Sequence, residues 1–327
     1  MSDAAVSAPP GRSSAEVVAW LRARGVYVAL GLLILFNLAF TKHFATTGTL
    51  KLNLIQVTPI VIVSLGMAMV IGTAGIDLSV GSVMALSSAL VPIYLRGYNP
   101  WVSVIMCIIA GAVVGLINGV MIAIVGIQPI VATLGTLVAV HGMALVFAHG
   151  KLTEFFNSFY NTVGSGNIGP SFARVSVRIL TMLVLIAVVG VIVRRSTFGR
   201  RLVAVGGNRQ ASVLAGLPVR STIITVYMLC SILAAVAGVL ETARSGAGNP
   251  GKLGNLMELS AITAVVVGGT PLTGGRVKIL GTCFAALFLL LLGATLIRQN
   301  VPQPATLMIQ AVIIVAAVFF QRERGTR

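Results

Sequence analysis

The chain has 327 residues, of which 57% are hydrophobic and 9% charged, and its mean hydropathy is +1.01. A soluble domain carries about 25% charged residues, so this composition excludes an ordinary soluble protein. The net charge of +16 does not indicate nucleic-acid binding, because polar surface is scarce and aromatic residues make up only 6%. The excess of Lys and Arg is better explained by loops that flank membrane segments.

Residues 1–24 are predicted to be a disordered cytoplasmic tail, because the first 20 are mainly small and polar and include Pro9, Pro10 and Gly11. The first apolar run begins near Gly25 and lacks a small-residue cleavage site before Lys42. We therefore expect a retained first helix and not a secretory signal. A transmembrane domain is predicted over 25–320, followed by a cytoplasmic tail at 321–327.

Hydropathy marks ten apolar segments, near 25–41, 52–72, 80–95, 101–124, 129–148, 177–193, 221–241, 259–269, 279–297 and 303–320. Most approach the roughly 20 residues needed to span a bilayer. The third and eighth are shorter, and each adjoins a glycine-rich stretch, at 72–81 and 267–275. Short, glycine-interrupted segments point to the working part of a transporter. The alternative is two ordinary short helices with tight turns.

Asp77 is the only acid between Glu16 and Glu154. A charge inside the membrane is a functional hypothesis by default, but an ion relay would need more such groups. Asp77 could instead cap the helix that begins near Ser79, because Asp is a good N-cap and is favourable at a helix N-terminus.

The fourth segment carries small residues at four-residue spacing, which lets another helix backbone approach: Gly111, Gly115 and Gly119. Asn118 lies beside this seam and either joins helices or contacts a solute. Thr133 and Thr136 follow on the fifth segment. Threonine in a membrane helix usually hydrogen-bonds the backbone of its own helix. Contact with a solute is the alternative interpretation for both residues.

The loop 194–220 carries six arginines and no acid: Arg194, Arg195, Arg200, Arg201, Arg209 and Arg220. Such a loop is expected to be cytoplasmic. Fewer arginines would suffice to orient the chain, and the rest of the loop is patterned and amphipathic. It is therefore either a docking element for a soluble partner or a solvated basic connector.

Ten passes from a cytoplasmic N-terminus put fourteen Lys and Arg residues inside and nine outside. This bias predicts that both termini are cytoplasmic.

Chemistry-bearing residues do not converge in the sequence. The phosphate-loop pattern G-x-x-x-x-G-K-[ST] is absent, since residues 274–281 have the wrong order. The three histidines are scattered, and Cys107, Cys230 and Cys283 fall in separate apolar segments. We expect no catalytic site, no metal site and no ATP hydrolysis by this chain alone.

Five motifs, in order along the chain, resemble those of bacterial simple-sugar ABC importer permeases of the ribose, xylose, arabinose and galactofuranose type. They are G-T-A-G-I-D-L-S-V-G-S-V-M-A-L (72–86), G-L-I-N-G-V (115–120), I-Q-P-I-V-A-T-L-G-T (127–136), S-T-F-G-R-R-L-V-A-V-G-G-N-R-Q-A-S-V-L-A-G (196–216) and A-V-V-V-G-G-T-P-L-T-G-G (264–275). The resemblance covers about residues 25–320. One departure is Ser260, where the family usually has Asp.

This resemblance implies an all-α polytopic membrane protein of about ten transmembrane helices with the architecture of the vitamin-B12 importer permease. It implies a second permease subunit (identical or not), a cytoplasmic ATPase that holds ATP and Mg, a periplasmic sugar-binding protein and a monosaccharide substrate. The location would be the bacterial inner membrane, with no cofactor on this chain and no nucleic-acid partner. The alternative is an ion-coupled secondary sugar transporter, which would need acids or histidines near the midplane.

The resemblance also assigns the loop 194–220 to coupling with the ATPase. The residues expected there are Phe198, Gly199, Arg200, Gly206, Gly207, Asn208, Ala211 and Gly216. We expect a short helix at about 204–216, with a sharp turn into it at Gly206 and Gly207. Structural turns are assigned to Gly75, Asp77, Leu78, Ser79, Gly81, Gly268, Gly269, Gly274 and Gly275. The expected path residues are Asn118, Gln128, Thr133 and Thr136, and the loop 149–176 is expected to face the periplasmic binding protein.

Overall fold

The computed structural model of the chain describes residues 14–95, 98–168 and 175–321. Its helices are α1 (Ser14–Phe40), α2 (Thr47–Gly72), α3 (Val80–Leu95), α4 (Pro100–Val120), α5 (Pro129–Phe147), α6 (Ser158–Ser165), α7 (Val177–Arg195), α8 (Thr197–Gly207), α9 (Arg209–Leu214), α10 (Val219–Ser245), α11 (Met257–Val267), α12 (Ile279–Arg298) and α13 (Gln303–Gln321). A π-helical turn, Met121–Val125, extends α4. Four two-residue strands complete the elements: β1 (Thr153–Glu154), β2 (Asn167–Ile168), β3 (Val175–Ser176) and β4 (Ala247–Gly248).

A helix occupies each of the ten apolar segments predicted from hydropathy. Six are long and apolar enough to cross a membrane: Thr47–Gly72, Pro100–Val125, Pro129–Phe147, Val177–Arg195, Val219–Ser245 and Ile279–Arg298. The segments predicted to be short are short, with 16 residues in α3 and 11 in α11. The chain is therefore a mostly helical, multi-pass membrane protein.

The first helix begins earlier than predicted, at Ser14. The prediction of a disordered tail is therefore wrong for residues 14–24. This stretch, S-A-E-V-V-A-W-L-R-A-R, contains strong helix formers and neither Gly nor Pro, so the helix extends N-terminally beyond the apolar run. Residues 1–13 and 322–327 of the predicted tails lie outside the described residues.

Helix α10 forms the centre of the bundle with α2, α3 and α4 packed around it. The small-residue seam of α4 faces α10, as predicted. A Cβ on Gly115 would lie 2.6 Å from Cα of Met228, and one on Gly119 would lie 2.7 Å from Cα of Ile224. Only glycine permits this backbone contact, which holds two long helices together where hydrophobic burial alone cannot.

The described parts of the segment 149–176, which are residues 149–168 and 175–176, form a small cap at the end of the bundle reached by the C-terminus of α10. Strands β1 and β4 pair antiparallel, as do β2 and β3. Helix α6 packs on α7 and α10. Below the cap, the fully buried Arg178 donates to Glu241 at 2.7 Å, and Arg244 donates to the same carboxylate. The buried Arg178 is therefore paired with a carboxylate, at a position where an unpaired charge would destabilise the fold.

Candidate functional site

The arginine-rich loop folds into α8 and α9 at the other end of the bundle, which we call the basic end. Ser196 begins α8, and its hydroxyl accepts a hydrogen bond from Gly199 N at 3.1 Å. Asn208 separates the two helices with an extended backbone (φ −156°, ψ 103°), and its side chain accepts from Ala211 N at 2.9 Å. Gly216 then turns the chain in the left-handed region, with φ +72°.

The expected single helix at 204–216 is therefore wrong in its bounds. Gly206 and Gly207 do not form the turn into a helix, since they are the last residues of α8. The break falls at Asn208, because an Asn side chain that caps the next helix stabilises an extended residue at that position.

Helix α8 is anchored in the bundle by its apolar and glycine face. Leu202 is fully buried and Val205 nearly so. A Cβ on Gly199 would overlap the carbonyl oxygen of Val193 at the end of α7. Phe198 is half-buried against the core, whereas Arg200 and Gly207 are exposed. The predicted coupling residues thus divide into an anchoring set and an exposed set.

Helix α9 projects from the bundle. Of its residues only Ser212 is buried, while Leu214 is 89% exposed and Val213 is 59% exposed. Ala211 and Gly216 are also exposed. The sequence analysis did not predict that Val213 and Leu214 are exposed. Their position in the amphipathic basic loop could have indicated it. A projecting helix with an apolar surface is typical of a protein interface.

The glycine motifs at 72–75, 206–207 and 274–275 meet behind α8, an arrangement we call the glycine junction. Gly275 N donates to the carbonyl oxygen of Gly72 at 3.0 Å. A Cβ on Gly206 would overlap that oxygen and lie 2.7 Å from Gly275 N. A Cβ on Gly274 would lie 2.8 Å from Ala74 N. The end of α2, the end of α8 and the loop after α11 therefore touch backbone to backbone.

The segment between α2 and α3 is a non-helical turn, as the short third segment predicted. Asp77 is fully buried, and its Oδ1 accepts hydrogen bonds from Ser79 N at 2.9 Å and from Ser79 Oγ at 2.6 Å. Ser79 immediately precedes α3, so these bonds fit the interpretation of Asp77 as a cap, which stays a prediction; the other carboxylate oxygen, Oδ2, is buried without a hydrogen-bond partner among the described residues. Leu78 in the same turn is half-buried.

Three of the four expected path residues join a hydrogen-bonded network around this turn. Asn118 donates to Ser79 Oγ at 2.9 Å, and its Oδ1 accepts from Thr136 at 2.6 Å. Thr133 bonds Pro129 O in its own helix at 2.9 Å and lies 3.4 Å from Ile76 O.

Tyr227 reaches Ile76 O from α10 at 3.3 Å. Asn118 and Thr133 are fully buried, so they join α4 and α5 to the turn. Gln128 is apart from this network and exposed, at the N-terminus of α5.

The remaining turn glycines also mark close approaches. Gly75 lies against Tyr227, and Gly268 packs against Gly281 and Thr282 at the start of α12. Gly269 has φ +90° beside the Lys278 side chain. Gly81 contacts Gly254 and Glu258 across the bundle.

Ser260, the departure from the family pattern, donates to the carbonyl oxygen of Leu256, the residue that precedes its helix α11. Within the described ranges, no group of three His, Cys, Asp or Glu side chains could hold a metal ion.

Comparison with known proteins places this geometry in context. A family model described as the branched-chain amino acid transport system / permease component matches residues 49–318. The ribose import permease of Bacillus subtilis (strain 168) is 33% identical over 92% of both chains. The ribose import permease of Escherichia coli (strain K12) is 34% identical over 94% of this chain and 95% of its own. The L-arabinose ABC transporter permease of Azospirillum brasilense is 32% identical over 98% and 93%. No solved structure shows significant similarity.

Proposed function

Because this chain belongs to the family of branched-chain amino acid transport system permease components, we propose that it is the pore-forming subunit of an ATP-driven monosaccharide importer. Support comes from the relatives named as ribose and arabinose permeases, which match nearly the whole chain. An ion-coupled transporter is not proposed, since Asp77 Oδ1 is engaged by Ser79 and the Azospirillum relative is named as an ABC transporter permease.

In this proposal the chain crosses the inner membrane ten times, with both termini in the cytoplasm. The six long and four shorter apolar helices support the count. The arginines of the basic end support its cytoplasmic side, because Lys and Arg beside membrane segments are retained there. The architecture would be that of the vitamin-B12 importer permease, with the cap on the periplasmic side.

The observation that carries the coupling role is the exposure of Leu214 on a helix outside the bundle. A leucine that is 89% exposed at an aqueous surface gains free energy when a partner covers it. We assign α9 as the element that docks on a cytoplasmic ATPase. ATP and Mg would bind that partner, and this chain would hold no cofactor.

Coupling would pass through the glycine junction. Helix α8 is continuous from the α7 end to Asn208, and Gly206 rests directly on Gly72 and Gly275. A displacement of α9 would therefore move the end of α2 and the turn that holds Asp77. That turn is hydrogen-bonded to Asn118, so the movement would reach the α4–α5 region of the path.

The other partners follow from the same role. A second permease subunit, identical or homologous, would complete the pore. A periplasmic sugar-binding protein would dock on the cap, and the substrate would be a monosaccharide. Sugar selectivity would reside mainly in the binding protein.

Copurification from native membranes tests the proposal. The wild-type chain is expected to retain an ATPase and a sugar-binding protein. Leu214→Glu is expected to lose the ATPase, because a charge replaces the exposed apolar contact. Leu152→Glu is the matched control, since it makes the same change at a residue 54% exposed near β1. Equal ATPase recovery with both variants would contradict α9 docking.

A further inference from the structure

The segment between β4 and α11 turns back into the helix bundle beside α3. Asn249 N donates to Ser88 Oγ at 2.8 Å, and farther along the backbone of Gly254 touches that of Gly81. Residues 249–254 therefore follow α3 from Ser88 down to Gly81. Gly81 is the second residue of α3, so it lies about 21 Å below the far end of that helix at 1.5 Å per residue.

This descent places Glu258 deep within the membrane. A Cβ on Gly81 would lie 2.5 Å from Oε2 of Glu258. Glu258 is also the second residue of the 11-residue α11, so it lies about 14 Å from the helix end at Val267, near the basic end. Both distances put the carboxylate well inside a hydrocarbon layer about 30 Å thick.

The protein does not neutralise this carboxylate. Glu258 is half-exposed and forms no ion pair with any residue that the structure describes. The contrast with Glu241, which is held by two arginines, indicates that Glu258 has a role other than joining helices.

We propose that Glu258 forms a polar station that accepts hydroxyl groups of the sugar partway through the membrane. This rests on the proposed function and assigns a solute contact within it. Carboxylate oxygens accept hydrogen bonds from hydroxyl groups and form charge-assisted bonds with them. A station with a single carboxylate binds weakly, which suits a path that a solute must leave as readily as it enters.

The chemistry favours a neutral, hydroxyl-bearing solute over a cation. A site for a hard cation presents six or more oxygen ligands for Ca²⁺ or a near-octahedral set for Mg²⁺. Among the described residues, Glu258 belongs to no group of three His, Cys, Asp or Glu side chains that could hold a metal ion.

The test measures sugar delivered per ATP hydrolysed by the complete complex in proteoliposomes. Glu258→Gln keeps the shape and one hydrogen-bond acceptor, whereas Glu258→Leu removes both acceptors. We expect the Leu variant to deliver about tenfold less sugar per ATP, as the loss of one charge-assisted bond of about 1.4 kcal/mol implies. The Gln variant is expected to stay within about threefold of wild type on the same scale.

Thr263→Val is the control on the same helix. Thr263 is buried and its hydroxyl bonds Leu259 O within α11, so its loss should leave the ratio unchanged. If Glu258→Leu does not assemble, Glu258→Ala, which also lacks both acceptors, replaces it with the same order expected.

Three results would overturn or redirect the proposal. A wild-type ratio in Glu258→Leu, or in Glu258→Ala where it replaces the Leu variant, would overturn it. A Gln variant as defective as Leu would show that the charge is required, which would indicate a cation or proton site instead. If the wild-type complex lacks ATPase activity stimulated by sugar-loaded binding protein, the proposed function fails first, and this outcome is distinguishable from an unchanged ratio.

Discussion

The glycine junction predicts a sharp difference between two adjacent residues of α8. A Cβ on Gly206 would overlap the Gly72 carbonyl oxygen and lie 2.7 Å from Gly275 N. A Cβ on Gly207 would meet only Cα of Gly275, at 4.0 Å. Both glycines are helical, so neither needs a conformation that alanine disfavours. The two alanine variants therefore differ in packing alone.

The magnitude follows from this geometry. In Gly206→Ala, α8 must move by on the order of 1 Å, because non-bonded heavy atoms separate to about 3.5–4.0 Å. Overpacking costs about 1–3 kcal/mol, and weakening the hydrogen bond from Gly275 to Gly72 costs about 1 kcal/mol more. The higher helix propensity of alanine offsets about 1 kcal/mol of this destabilisation. We expect a net destabilisation of about 2 kcal/mol in Gly206→Ala and a gain of up to about 1 kcal/mol in Gly207→Ala.

The assay compares thermal stability of the purified permease with sugar-stimulated ATPase activity of the reconstituted complex. Gly206→Ala should lower both, and its loss of stimulation per assembled complex should exceed that of an equally destabilised core variant, Ile62→Ala. Gly207→Ala should retain both. Equal stability and equal stimulation in the two glycine variants would refute the junction as the connection between α8 and the end of α2.

Three further predictions test individual residues. Asp77→Asn should retain uptake, because its amide oxygen can accept the same bonds from Ser79. Asp77→Leu should lower the amount of assembled permease, because it loses a cap worth about 1 kcal/mol. Loss of transport in a fully assembled Asn variant would indicate a role for the charge. Ala211→Glu should leave the permease inserted but abolish sugar-stimulated ATP hydrolysis, and unchanged stimulation would leave the loop as a basic connector. In a background without native cysteines, a cysteine introduced at Ser165 should react with a membrane-impermeant thiol reagent added outside the cell, and one introduced at Ala215 only with reagent on the inside. Both positions are exposed. The reverse pattern would overturn the orientation.

Local patterns predicted much of this molecule. Hydropathy located ten helices and identified α3 and α11 as short, because each helix signal lies within its own segment. The seam through Gly115 and the turn that contains Asp77 were also predictable, since their spacing and residue types depend on nearby positions. The exposed helix α9 lies within the predicted loop 194–220, but its bounds were not predicted. Capping by Asn208 competes with continuation of α8, and the loop sequence alone does not decide between them.

Contacts between distant segments could not be read from one sequence. Gly72, Gly206 and Gly275 meet only after three helices pack, so nothing local marks them as partners. Glu258 follows an apparently external loop in the sequence. Its position becomes evident only in the structure, where Gly254 and the Glu258 carboxylate both lie against Gly81. Asn118 and Thr133 illustrate the reverse case, since polar residues selected for a path form internal hydrogen bonds in the structure.

The central claim is that this chain passes a monosaccharide through the membrane under the control of a partner ATPase. The most direct measurement is uptake of labelled sugar into proteoliposomes that contain the chain with its copurified ATPase and binding protein. The account predicts uptake that requires ATP on the side of the basic end and binding protein on the other. Uptake by the chain alone, driven by an ion gradient without ATP, would contradict it.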